Sequence, residues 1–212
     1  MAIQLIGGTS GALAETDTTF KAVRTSLRPM EVLGWNSVGA VSGALTGVAA
    51  NGPVFSFRNL SANPIIVRRL AVTFGTTTAF TTAQALGYAC VFARSFTASD
   101  TGGTAIAITG SQNKHRTSLA TPTSVDCRIS STAALTAGTR TLDTVALGVA
   151  YGSSTGVGTS LPLTQIISND AGDYPVVLAQ NEGLVVTNLI AMGAAGVINL
   201  SVKIEFAEAT SF

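Results

Sequence analysis

Val197-Ile-Asn-Leu-Ser-Val-Lys-Ile-Glu-Phe206 decides the fold. Side chains alternate between the two faces of an extended chain. Ile198, Leu200, Val202, Ile204 and Phe206 therefore share one face, and Val197, Asn199, Ser201, Lys203 and Glu205 share the other. A two-residue period of this length needs one side in a core and one side wet or at an interface. The same period recurs more weakly along the chain. Phe55 and Phe57 alternate with Ser56 and Arg58. Leu70, Val72 and Phe74 alternate with Arg69, Ala71 and Thr73. Leu86, Tyr88, Cys90 and Phe92 alternate with small residues and Val91, and Val125, Cys127 and Ile129 with Asp126 and Arg128. Val145, Leu147, Val149 and Tyr151 alternate with small residues, and Val176 to Leu178 and Leu184 to Ile190 complete the set.

The breaks between these runs carry turn residues: Asn63-Pro64, Asp100 to Gly103, Asn169 to Asp173, and Asn181 to Gly183. No window pairs a charged face with an apolar stripe at helical spacing. Short punctuated strands without amphipathic helices predict an all-β chain, a β-sandwich of jelly-roll-like form. The loops at 112–123 and 153–162 are too long and polar for tight hairpins and suit crossings between sheets. No fixed-period repeat is visible. Residues 1–31 differ, with Glu15, Asp17, Lys21, Arg24, Arg28 and Glu31 close together before and after Pro29. They read as an extended N-terminal arm or a first strand, and residues 32–212 as the sandwich domain.

Charge sets limits on function. The 212 residues hold 12 Lys and Arg against 11 Asp and Glu, so charged residues are 11% of a chain that is 46% hydrophobic. Ordinary soluble domains are about 25% charged. A folded monomer of this length exposes roughly 9,000 Å², so its surface carries large uncharged areas, which usually become interfaces. Disorder is excluded by the hydrophobicity. A net charge of +1 argues against direct nucleic-acid binding through phosphate neutralisation. Val32 to Phe57, Thr144 to Asn169 and Gly183 to Val202 are uncharged and long enough to cross a bilayer. Their polar residues and glycines argue against a membrane span. The first residues lack the basic start of a signal peptide.

Motifs for chemistry are weak. Gly152-Ser153-Ser154-Thr155-Gly156 matches a nucleophile-elbow pattern, but the residues after it do not favour the helix an elbow needs, and His115 precedes the serine. Asp170 and Asp173 read as a turn rather than a calcium loop. Lys114-His115-Arg116 reads as a solvated loop tip. Of Arg68 and Arg69, one should point inward unless a bulge turns both out. Gly193-Ala194-Ala195-Gly196 is no phosphate loop. The sequons at Asn59 and Asn199 read as chance. Cys90 and Cys127 read as buried free thiols, with a single disulfide as the alternative. With one histidine and two separated cysteines, no catalytic, cofactor or metal site is expected.

Tyr174 to Asn188 with Val197 to Glu208, together with Leu13 to Pro29, resemble segments of tailed-bacteriophage virion structural proteins. The resemblance implies a virion protein assembled in the host cytoplasm. At this size it implies a jelly-roll capsid decoration or cement protein, with no enzymatic activity. Its expected partners are its own copies, as dimer or trimer, and the major capsid protein or other virion proteins. A glycan-binding module of a phage tail, fibre or spike is the alternative, with Trp35, Tyr88 and Tyr151 as the aromatic candidates for host glycans.

Overall fold

A computed structural model describes residues 6–7, 12–13, 32–108, 114–115, 124–168 and 175–209. They form fourteen strands and no helix. The short β1 (Ile6–Gly7) and β2 (Ala12–Leu13) pair with each other; the rest of residues 1–31, and with it the extended-arm expectation, lies outside the described residues. Then follow β3 (Val32–Val41), β4 (Pro53–Asn59), β5 (Ile65–Thr78), β6 (Gln84–Arg94), β7 (Thr104–Ala105), β8 (Val125–Ile129) and β9 (Thr141–Leu142). The last five are β10 (Gly148–Ser154), β11 (Ser160–Ser168), β12 (Val176–Leu178), β13 (Gly183–Asn188) and β14 (Val197–Ala209).

The pairing is nested. β3 pairs β14, β4 pairs β13, β5 pairs β11 and β6 pairs β10, each antiparallel. This is the pattern of one long hairpin with four strands in each arm. Rolled up, it deals its strands into two packed sheets, in the orders β11-β5-β14-β3 and β10-β6-β13-β4. That is the jelly-roll arrangement. The connection from β6 to β10 carries β7, β8 and β9. Of these, β8 extends the second sheet beside β4, and β9 pairs the end of β6 that β10 leaves uncovered.

The core lies between the sheets. Ile198, Leu200, Val202, Ile204 and Phe206 are all fully buried, as the two-residue period requires. They meet Phe55, Phe57, Leu86, Tyr88, Leu184 and Val186 from the other sheet. The rings of Phe57 and Phe206 cross at 4.7 Å, tilted by 59°, a favourable aromatic arrangement. A second cluster of Val91, Ala93, Phe96 and Val185 sits on the outer face of β6 and β13, packed by Leu142 and Ala146. The β6–β10 connection thus roofs part of a face that alternation alone would leave wet. β13 ends at Asn188, two residues short of the expected Ile190. The Leu189 amide still donates to the Gly87 carbonyl, and the Asn188 side-chain amide donates to the carbonyls of Val48, Ala49 and Ile190.

The Arg68-Arg69 question resolves as a bulge. Glu205 of β14 pairs Arg69 but the next residue, Phe206, pairs Val67, so Arg68 is an extra residue on β5. Both arginines turn away from the core: Arg68 is exposed and Arg69 reaches Glu205 at 3.7 Å.

Candidate interaction surface

The structure disperses the residues that suggested chemistry. Ser154 ends β10 fully buried, and its hydroxyl shares a 2.8 Å hydrogen bond with that of Thr76. The chain then turns through Gly158, at φ +82°, straight into β11 and forms no helix, so the elbow geometry is absent. Asp170 and Asp173 lie outside the described residues, as does Arg116. Lys114 bridges to Asn36 on β3, so at that residue the chain meets a sheet edge, while His115 is exposed. Asn59 is buried, donating to the carbonyls of Asn63 and Leu178 and accepting from the Ser61 amide. Asn199 donates to the carbonyls of Ser42 and Gly43. Gly193 and Gly196 make a seat for Phe80; a Cβ at Gly196 would stand 2.2 Å from its ring.

Cys90 and Cys127 are buried and unpaired. Burial pushes the Cys90 thiol up to about 12; burial, with help from Asp126, pushes Cys127 higher still. Among the described residues, no three His, Cys, Asp or Glu side chains gather in a metal-ligating group, and no helix is long and apolar enough to cross a membrane.

The aromatic candidates do not form one platform. Tyr88 is in the core, where burial raises its phenol far above the ordinary value. Trp35 pairs Ala207 through its backbone, and its side chain lies outside the described residues. Tyr151 alone is seen at the surface, on the outer face of β10.

Charged side chains mostly hold loops. Asp100 and Arg140 form an ion pair at 0% and 3% exposure, and desolvation lowers the Arg140 pKa. Arg58 donates to Ser99, the Thr97 carbonyl and Asn181. The guanidinium groups of Arg58 and Arg140 stand 5.6 and 5.2 Å from the Phe96 ring. Arg94 bonds Glu182 at 2.6 Å and Asp143 at 3.3 Å, which raises its pKa. On the other sheet, burial opposes ionisation of Glu205 most strongly. Lys203 at 2.9 Å, with Arg69 and His115, outweighs burial and holds the carboxyl below its ordinary value.

The flank where β10 and β11 run side by side is different. Thr144 to Asn169 include no charged residue. Val145, Leu147, Val149, Tyr151, Val157 and Leu163 all lie here, from 38% to 76% exposed. Alternation sends Val149 and Tyr151 outward and Gly148, Ala150 and Gly152 inward. The reason is steric. A Cβ at Gly148 would stand 2.4 Å from the Ile166 carbonyl oxygen, and one at Gly152 3.0 Å from the Phe74 ring and 3.2 Å from the Leu161 side chain. β11 and Phe74 of β5 come so close to the inner face of β10 that only small residues fit there. The large ones are left on the surface, above Ala89 and Gly87 of β6. Beside them a shallow depression of about 250 Å³ is lined by Ala89, Val91, Leu142, Ala146 and Leu189 together with the polar Asn51, Asp143, Thr144 and Thr187. The chain matches no family model, no curated protein and no solved structure.

Proposed function

We propose that this protein is a virion structural protein that decorates a phage head, binding its own copies and the shell beneath. One observation carries the reading: the uncharged, apolar β10–β11 flank. Isolated domains guard sheet edges with charge, and contiguous exposed apolar area marks interaction sites. Here six large hydrophobic side chains of one uncharged run are exposed, Val149 and Tyr151 among them on the outer face of β10. Burying such a flank between subunits would add area across capsomer joints and oppose expansion by packaged DNA.

Jelly rolls serve both viral shells and lectins, so the fold supports the glycan-binding alternative equally. That alternative rests on Tyr151 beside the shallow depression. Sedimentation of purified protein with and without phage heads separates the two. Saturable binding to heads, with no signal on a glycan array, is expected. Glycan binding that Tyr151→Ala abolishes, with no binding to heads, would replace the decoration reading.

A further inference from the structure

We propose that β10 pairs, edge to edge and antiparallel, with β10 of a second copy of this chain about a two-fold axis, merging two sheets into one. The inference deepens the self-association half of the function proposed above and rests on it; it does not need the shell-binding half.

The backbone supplies the edge. The Leu189 amide donates to the Gly87 carbonyl at 2.8 Å, so the polar groups of Gly87 face β13. Alternation then aims those of Leu86, Tyr88 and Cys90 at their β10 partners Gly152, Ala150 and Gly148. The N–H and C=O groups of Val149, Tyr151 and Ser153 therefore point away from β6. Among the described residues β10 pairs with β6 alone, so nothing meets them.

The other long edges are managed. β11 carries Pro162 and two register irregularities, between Leu161 and Thr164 and between Gln165 and Ile167. These features blunt an edge. β3 is bridged at Asn36 by Lys114, and beyond β4 the second sheet ends in β8, which carries Asp126 and Arg128 and is partly paired by β7. β10 runs against β6 in unbroken register, with no proline, bulge or charge.

The side chains suit a copy of themselves. Near a two-fold axis each residue approaches its own counterpart, so any charge there would meet a like charge. Thr144 to Asn169 hold none. Centring the pair on Ala150 sets Val149 opposite Tyr151 of the second copy, twice. That is a β-branched–aromatic cross-strand pair, of the kind that stabilises antiparallel ladders. In this register Val149 and Tyr151 also exchange their free N–H and C=O groups.

Sedimentation equilibrium on the full chain tests the pairing. Wild type should sediment as a dimer. Val149→Lys and Tyr151→Lys should each weaken association at least tenfold, with far-UV circular dichroism unchanged, because both side chains are surface-exposed. A Val149→Cys, Tyr151→Cys double variant should oxidise to a covalent dimer. A wild-type monomer at every concentration, a trimer, or a dimer that both lysine variants leave intact would overturn the inference. A dimer that binds no phage head supports it and removes the shell-binding function.

Discussion

The ring of Tyr151 lies against Gly87: a Cβ built at Gly87 would stand 2.8 Å from Tyr151 Cε1. The two are cross-strand partners on the outer face of β6 and β10. The missing side chain at Gly87 lets the ring lie down on the sheet, where it covers backbone and still presents an apolar surface. Gly87→Ala should lift the ring without disturbing the core. Monomer stability should change by less than about 1 kcal/mol, while self-association weakens. Chemical denaturation and sedimentation on the same variant read the two effects separately. A variant that associates like wild type would remove Tyr151 from the contact.

Leu200 and Ser201 are neighbours with opposite fates. Leu200 is fully buried between the sheets and Ser201 is on the outer face. Leu200→Ala should cost about 2–5 kcal/mol, and Ser201→Ala should stay within about 0.5 kcal/mol. Urea denaturation of both variants measures this. The reverse order would put β14 one residue out of register.

Arg140 and Asp100 tie together two distant parts of the β6–β10 connection. Arg140→Met alone strands a buried carboxylate whose Oδ1 still accepts from the Gly138 amide at 2.8 Å. It should cost about 3–5 kcal/mol. Replacing both members, Asp100→Asn with Arg140→Met, should cost less than the single change, because no buried charge is left unmatched. Equal losses from the single and double variants would mean that the ion pair carries little of the loop's stability.

The two thiols give a pH signature. Burial raises Cys90 from an ordinary 9.0 to about 12. The folded state therefore holds a proton that the unfolded state gives up first. Stability from this group is complete below pH 9 and declines as pH rises from about 9 toward about 12. At pH 8 a thiol reagent should label neither cysteine in the folded protein and both in urea. Rapid labelling of the native protein would contradict the burial of β6 and β8.

Where local pattern and tertiary packing agree, the chain could be read directly, and β14 is the clearest case. Its five apolar positions are all in the core because a central strand leaves no other place for them. Arg68-Arg69 shows the limit. Whether a bulge turns both arginines outward depends on how β5 registers with β14, more than a hundred residues away. β10 shows another. Its alternation identifies a strand, yet alternation is symmetric between faces. The larger residues are outside because Ile166, Phe74 and Leu161 press against the inner face. The Asp100–Arg140 pair is likewise closed by the loop path and leaves no local mark in the sequence. The uncharged run from Thr144 to Asn169, by contrast, stood out from composition, and the exposed flank falls within it.

Assembly through the β10–β11 flank is tested most directly by a cryo-electron microscopy reconstruction of phage heads carrying the bound protein. The expected map places each sandwich on the shell with Val149, Tyr151 and Leu163 covered, by a second copy along β10 or by the shell. A map in which that flank faces solvent, or in which no density for the protein appears on the particle, would contradict it.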